Sequence, residues 1–98
     1  MAVIETTTFR LAEGVADAAF LEADEQVRTG FLYQQPGLAR ATTARSGSGD
    51  EWIVVVLWAT AEAADAAAGR SAEDPASAEF MTFLDRASVV RKRYNTFG

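Results

Sequence analysis

From Glu51 to Trp58 the chain reads Glu-Trp-Ile-Val-Val-Val-Leu-Trp, with no polar residue after the first. Side chains on a strand alternate between faces. One face therefore carries Trp52, Val54, Val56 and Trp58, and the other carries Ile53, Val55 and Leu57. Hiding one large apolar side chain from water is worth about 1.5–3 kcal/mol, so neither row is stable when exposed. The helices of a chain this short can cover one face only, and a second copy of the chain is the simplest cover for the other. Residues 52–57 are thus candidates for core or for a dimer interface, and either row can be the one that meets the helices.

The remaining pattern divides into elements. Val3 to Phe9 is rich in β-branched residues and predicts a strand. Ala16, Phe20, Ala23, Val27 and Phe31 recur at spacings of three and four, which predicts a helix from about Val15 to about Gln34. Gly30 sits inside that span at a cost of about 1 kcal/mol relative to Ala, but Phe31 keeps the period. Pro36-Gly37 marks a turn, Leu38 to Ala44 a second strand, and Ser46 to Asp50 a loop that closes a hairpin onto Glu51–Trp58. Thr60 is placed to cap an alanine-rich helix over Ala61–Ala68, with Gly69 suited to its end. Asp74-Pro75 reads as a cap and first-turn proline, with Ser71 as a rival cap, for a helix running to about Asp85. Ala76, Phe80, Phe83, Leu84 and Ala87 form its apolar stripe, and Ser88 to Phe97 returns to strand character.

The order is β-α-β-β-α-β with the second helical region broken in two. It predicts an α+β, ferredoxin-like fold: a four-stranded antiparallel sheet with its helices on one face. Residues 1–98 are expected to form one domain. Gln35-Pro36-Gly37-Leu38, the strand-to-helix run Val55-Val56-Leu57-Trp58-Ala59-Thr60-Ala61-Glu62-Ala63, and Phe80 with the helix leading into Val89-Val90 and Tyr94 resemble, in order and spacing, the antibiotic biosynthesis monooxygenase-like family of dimeric α/β barrels. The resemblance covers nearly the whole chain. It implies a homodimer in which two sheets face each other, with a pocket in each monomer between sheet and helices.

Composition narrows the chemistry. The chain has 14 acidic and 9 basic residues, a net charge of −5, and neither histidine nor cysteine. Nucleic acid is not an expected partner of so acidic a surface, and Arg91-Lys92-Arg93 reads as a solvated strand end. Without cysteine there is no disulfide or thiolate chemistry, and without histidine the commonest general base and metal ligand are gone. Neither a metal nor a cofactor is expected. No apolar run is long enough to span a bilayer, and the start has no signal-peptide pattern, which predicts a cytoplasmic protein with no membrane partner. Glu13, Asp17, Glu22, Asp24 and Glu25 read as a solvated helix face. Ser46-Gly47-Ser48-Gly49 lacks the lysine of a phosphate loop.

The resemblance implies one of two roles. Family members include cofactor-independent oxygenases acting on aromatic polyketides and haem-degrading enzymes. The haem branch needs an axial histidine, a first-strand asparagine and a helical tryptophan, and none of these stands at a matching position here. A cofactor-independent monooxygenase for an aromatic or polyketide-type small molecule remains, with a non-catalytic dimeric binding or accessory protein as the alternative. An apolar or aromatic ligand would need an apolar pocket with a few placed polar groups. Trp58, Tyr33, Phe80, Phe83 and Tyr94 are the aromatic candidates for lining it. Arg40, with Arg91, Arg93 and Asn95, could hold a phenolate or quinone oxygen. The alanine-rich helix favours the non-catalytic alternative, because small residues let elements close up and are expected to leave little room.

Overall fold

A computed structural model describes residues 1–98. Strand β1 (Val3–Phe9) is followed by helix α1 (Asp17–Gly30), strand β2 (Leu38–Arg45), strand β3 (Trp52–Trp58), helices α2 (Ala61–Ser71) and α3 (Pro75–Thr82), and strand β4 (Val90–Asn95). The four strands form one antiparallel sheet in the order β2-β3-β1-β4. This is the ferredoxin-like arrangement expected from the element order.

The register assigns the two rows of β3. Trp52, Val56 and Trp58 are buried against the helices, with Phe9 and Val3 opposite Trp52 and Trp58 on β1. Alternation carries Glu5 and Thr7 of β1, Arg91 and Arg93 of β4, and Ala41, Thr43 and Arg45 of β2 onto the same helix-covered face. The opposite face holds Ile53, Val55 and Leu57 with Ile4, Thr6 and Thr8 beside them. Val90, Lys92 and Tyr94 lie along one edge of that face and Arg40, Thr42 and Ala44 along the other. No helix covers it. The chain exposes 6027 Å², where a self-contained monomer of 10.5 kDa exposes about 5,400 Å².

Two core clusters lie side by side under the helix layer. One is aromatic: Phe20 of α1 packs against Phe9, Trp52 and Phe80 with ring centroids 5.5, 4.8 and 5.5 Å away, and Leu84 completes it. The other sets Val3, Val56 and Trp58 against Ala64 and Ala67 of α2. The capping residues act as their chemistry demands: the Thr60 and Asp74 side chains accept from the Ala63 and Ser77 amides at 3.1 and 2.8 Å.

Several element ends differ from the sequence expectation. Helix α1 stops at Gly30, not Gln34, and a 3-10 turn over Leu32–Gln34 follows. The Phe31 backbone leaves helical geometry, yet its side chain stays buried, so the apolar period outlasts the helix. Helix α2 passes through Gly69 to Ser71; the alanines before it supply the propensity that one glycine removes, and Arg70 donates to Gln35 at 2.6 Å. Helix α3 ends at Thr82, short of Asp85, because the chain extends there to bridge Leu84 to Leu11. The Ala12 and Asp85 amides donate to the Phe83 and Arg10 carbonyls across that bridge. Strand β4 spans Val90–Asn95 rather than Ser88–Phe97, six residues that pair with Val3–Thr8 of β1.

Asp24 also departs from expectation. It is buried, while the other acids of the set expected to be solvated remain exposed. It falls four residues after Phe20 and seven before Phe31, on the apolar stripe rather than beside it. Thr43 of β2 donates to one carboxylate oxygen at 2.9 Å, and Arg28 lies 3.5 Å from the other. Burial raises the Asp24 pKa above the ordinary carboxylate value, against the lowering effects of Thr43 and Arg28.

Two predictions follow from this packing. Gly37 has a φ of +85°, and a Cβ there would sit 2.5 Å from the Ala63 Cβ; Gly37→Ala is expected to cost about 2–3 kcal/mol in denaturant unfolding, read as a lower midpoint at unchanged slope. For Asp24 the folded pKa lies above the unfolded one, so its contribution to stability is fullest in acid and declines as pH rises through the folded value. Asp24→Asn keeps an acceptor for Thr43 and removes the ionisation. It is expected to match the parent near pH 3 and to exceed it in thermal stability at pH 7, whereas a variant that is less stable at pH 7 would contradict this account of Asp24.

Candidate functional site

Beside the packed contact of α2 with the sheet lies a cleft of about 360 Å³. Ala64 and Ala67 meet Val3, Val56 and Trp58 in the core, and together with the exposed Ala68 they form the helix side of that cleft. The expectation that the alanine-rich helix packs close holds at Ala64 and Ala67; the room lies to the side of that contact, toward β1 and β4. The absent Cβ of Gly37 lets Ala63 approach closely, and Trp58 packs beneath α2 with Ala64 and Ala67.

The cavity has an apolar floor and one polar wall. Val54, Val56 and Trp58 of β3 form the floor, and Phe31 and Leu32, placed by the chain reversal after α1, close one side. Glu5 and Thr7 of β1, Arg91 and Arg93 of β4 and Ser71 of α2 contribute the polar groups. The Trp58 indole N–H donates to Glu5 Oε1 at 2.9 Å, and Arg93 donates to Glu5 Oε2 through Nε at 3.1 Å and through a terminal nitrogen at 2.9 Å. The remaining terminal nitrogen of Arg93 lies 2.9 Å from Asp65 of α2. Glu5 and Asp65 thus hold Arg93 firmly charged, its pKa raised by those hydrogen bonds. This chain of contacts ties β3, β1, β4 and α2 together and fixes the plane of the Trp58 ring.

Glu5 is fully engaged and its charge is balanced. The guanidinium of Arg91 has no carboxylate partner, only the Met81 sulfur at 3.6 Å. Thr7 and Ser71 line the cavity, and neither hydroxyl is a buried, unpartnered atom. The site is an apolar slot with two hydroxyls and one uncommitted cation on its wall. Nowhere in the chain do three His, Cys, Asp or Glu side chains converge to hold a metal ion.

Of the residues singled out from sequence for the pocket, Trp58 lines this cavity. Phe80 and Phe83 belong to the aromatic cluster next to it. Tyr33 is exposed beyond the end of α1. Arg40 and Tyr94 lie on the helix-free face of the sheet, Tyr94 exposed. Of the other polar candidates, Arg91 and Arg93 line the slot, and Asn95 pairs with Val3 at the sheet's end. Sequence reasoning missed Glu5, Thr7 and Ser71. For the two strand residues a signal exists, since Glu5 and Thr7 alternate with Val3 and Phe9 on the face the core needs. Ser71 gives no comparable signal.

No family model matches the chain, and no curated protein matches it. Solved structures do. An asparagine-to-alanine variant of SnoaB, a cofactor-independent oxygenase from Streptomyces nogalater, superposes with a TM-score of 0.81 at 17% identity, over 97% of this chain and 92% of that one. Rv0793 from Mycobacterium tuberculosis gives 0.75 at 15% identity, over 100% and 97% of the two chains. A Chloroflexus aurantiacus protein provisionally assigned as an antibiotic biosynthesis monooxygenase gives 0.72 at 12% identity, over 100% and 95%. With the sheet order, the helix layer and the slot beside α2 already in place, these likenesses settle the architecture: the chain has the fold of the antibiotic biosynthesis monooxygenase-like proteins.

Proposed function

We propose that this protein binds a flat, electron-rich aromatic or polyketide-type molecule in the slot beside α2 and oxidises it with molecular oxygen. The observation that carries the reading is the slot itself: about 360 Å³, floored by Trp58, Val54 and Val56, with hydroxyls of Thr7 and Ser71 on its wall. A space of this size suits a tricyclic ring system, and the buried Trp58, held by Glu5, forms part of its floor. The likeness in fold to a cofactor-independent oxygenase supports the same reaction class.

The chemistry asked of the protein is modest. A phenol or anthrone loses a proton to solvent, and hydrogen bonds from Thr7 and Ser71 stabilise the resulting anion at its oxygens. The anion passes one electron to oxygen, the two radicals combine as a hydroperoxide, and loss of water leaves a carbonyl. One ring CH2 and one O2 thus become one C=O and one H2O. The chain contributes a shaped site that orients the ring and stabilises the anion.

A second reading shares the ligand and omits the oxidation. Glu5, the slot's one carboxylate, is committed to Trp58 and Arg93, which leaves no free carboxylate base inside and favours a binding or accessory protein. Oxygen uptake with anthrone separates the two. Turnover above buffer, cut about tenfold or more by Ala68→Trp, which plugs the slot from a position outside the buried core, supports the oxygenase. Ring binding with no uptake supports the accessory protein, and no binding removes both.

We also propose that the working unit is a homodimer built on the helix-free face of the sheet, where Ile53, Val55 and Leu57 meet the same row of a second copy. The row would otherwise stand in water at the centre of the sheet. Val55→Asp is expected to shift sedimentation at micromolar concentration from dimer to monomer, since two carboxylates would be forced together in an apolar interface. A parent protein that sediments as a folded monomer contradicts the dimer.

A further inference from the structure

A second hollow adjoins the slot. It occupies about 350 Å³ between α2, α3 and the start of β4, and it shares Ala68, Ser71 and Arg91 with the slot as a common wall. Its other side carries Arg86, from the 3-10 turn over Arg86–Ser88 that leads into β4. Two guanidiniums and no carboxylate line it. Arg28, Arg45 and Arg93 have acidic partners elsewhere in the chain, and Arg86 and Arg91 do not.

The two aspartates nearest the hollow in sequence cap backbone turns. Asp74 accepts from the Ser77 amide and hydroxyl, both at 2.8 Å, and Asp85 accepts from the Ala87 amide at 3.2 Å. Arg86 has no ion-pair partner, and Arg91 rests only on the Met81 sulfur, a soft acceptor that a carboxylate displaces easily. Like charges gathered around one hollow without counter-charge repel each other, and an anionic group placed between them relieves the repulsion.

We propose that this annex binds the carboxylate arm of the ligand whose ring system lies in the slot, with Arg86 and Arg91 as its two donors. The preferred ligand is therefore an aromatic acid rather than a neutral ring. The inference rests on the ring-binding reading of the slot. Arg86 does not line the slot, so it determines specificity without touching the ring, while Arg91 stands on the border between the two spaces.

The test compares anthraquinone-2-carboxylate with 2-(hydroxymethyl)anthraquinone, which share a ring and differ in the charge of the arm, by quenching of tryptophan fluorescence in the 98-residue chain. The acid is expected to bind about tenfold more tightly, and that preference should shrink as salt rises. Arg86→Ala should bring the acid to the level of the neutral ligand and leave the neutral ligand unchanged, and Arg86→Lys should restore part of the difference. Arg91→Ala should also lower the preference. Equal affinity of the parent for the two ligands overturns the annex and leaves the slot standing, as does an Arg86→Ala variant that weakens both alike. Failure of both ligands to bind overturns the slot and the annex together.

Discussion

The interior of this protein is governed by an asymmetry of side-chain size along the helix layer. Over one half of the sheet, Phe20, Phe80, Phe9 and Trp52 interlock and leave no space. Over the other half, α2 presents Ala64, Ala67 and Ala68 to a sheet surface that contains Trp58. Ala64 and Ala67 meet the strands directly, and the slot opens beside that seam, toward β1 and β4. Gly37 fixes the seam at one end, where its missing Cβ lets Ala63 come close. At the polar wall, the Asp65–Arg93–Glu5–Trp58 chain of contacts ties α2 to the strands again.

The same sheet faces two ways with different consequences. Its helix side mixes apolar floor with Glu5, Thr7, Arg91 and Arg93, and so can hold both a ring and its oxygens. Its other side is aliphatic at the centre, with Ile4, Ile53, Val55 and Leu57, and carries Arg40 and Lys92 on its edge strands. An apolar centre with charged edges is the composition of a surface built to be covered. The proposed twin would cover it without touching the slot, so association and ligand binding use opposite faces of the same four strands.

Much of this was legible in the residues. The two rows of β3, the Thr60 and Asp74 caps, the Pro36-Gly37 turn and the break between α2 and α3 all follow from local chemistry that the tertiary structure does not contradict. Element ends were less legible, because they depend on partners remote in sequence: α3 stops where Leu84 must bridge to Leu11, and β4 is only as long as β1 allows. The site was the least legible part. Trp58 was readable as a pocket residue, but the room lies to the side of the close alanine contact, and composition cannot show what stands there. Asp24 illustrates the converse, since its place on the stripe was visible in the spacing while its acidic character pointed to solvent.

The chain carries two tryptophans, one in each half of the interior, and this permits a direct measurement. Trp58 borders the slot and Trp52 is packed within the aromatic half. In a proton–nitrogen correlation spectrum recorded while 2-(hydroxymethyl)anthraquinone is added, the indole N–H of Trp58 is expected to shift progressively and that of Trp52 to stay in place. Movement of Trp52 equal to that of Trp58, or no movement of either at saturating ligand, would contradict a slot beside α2 that receives a ring.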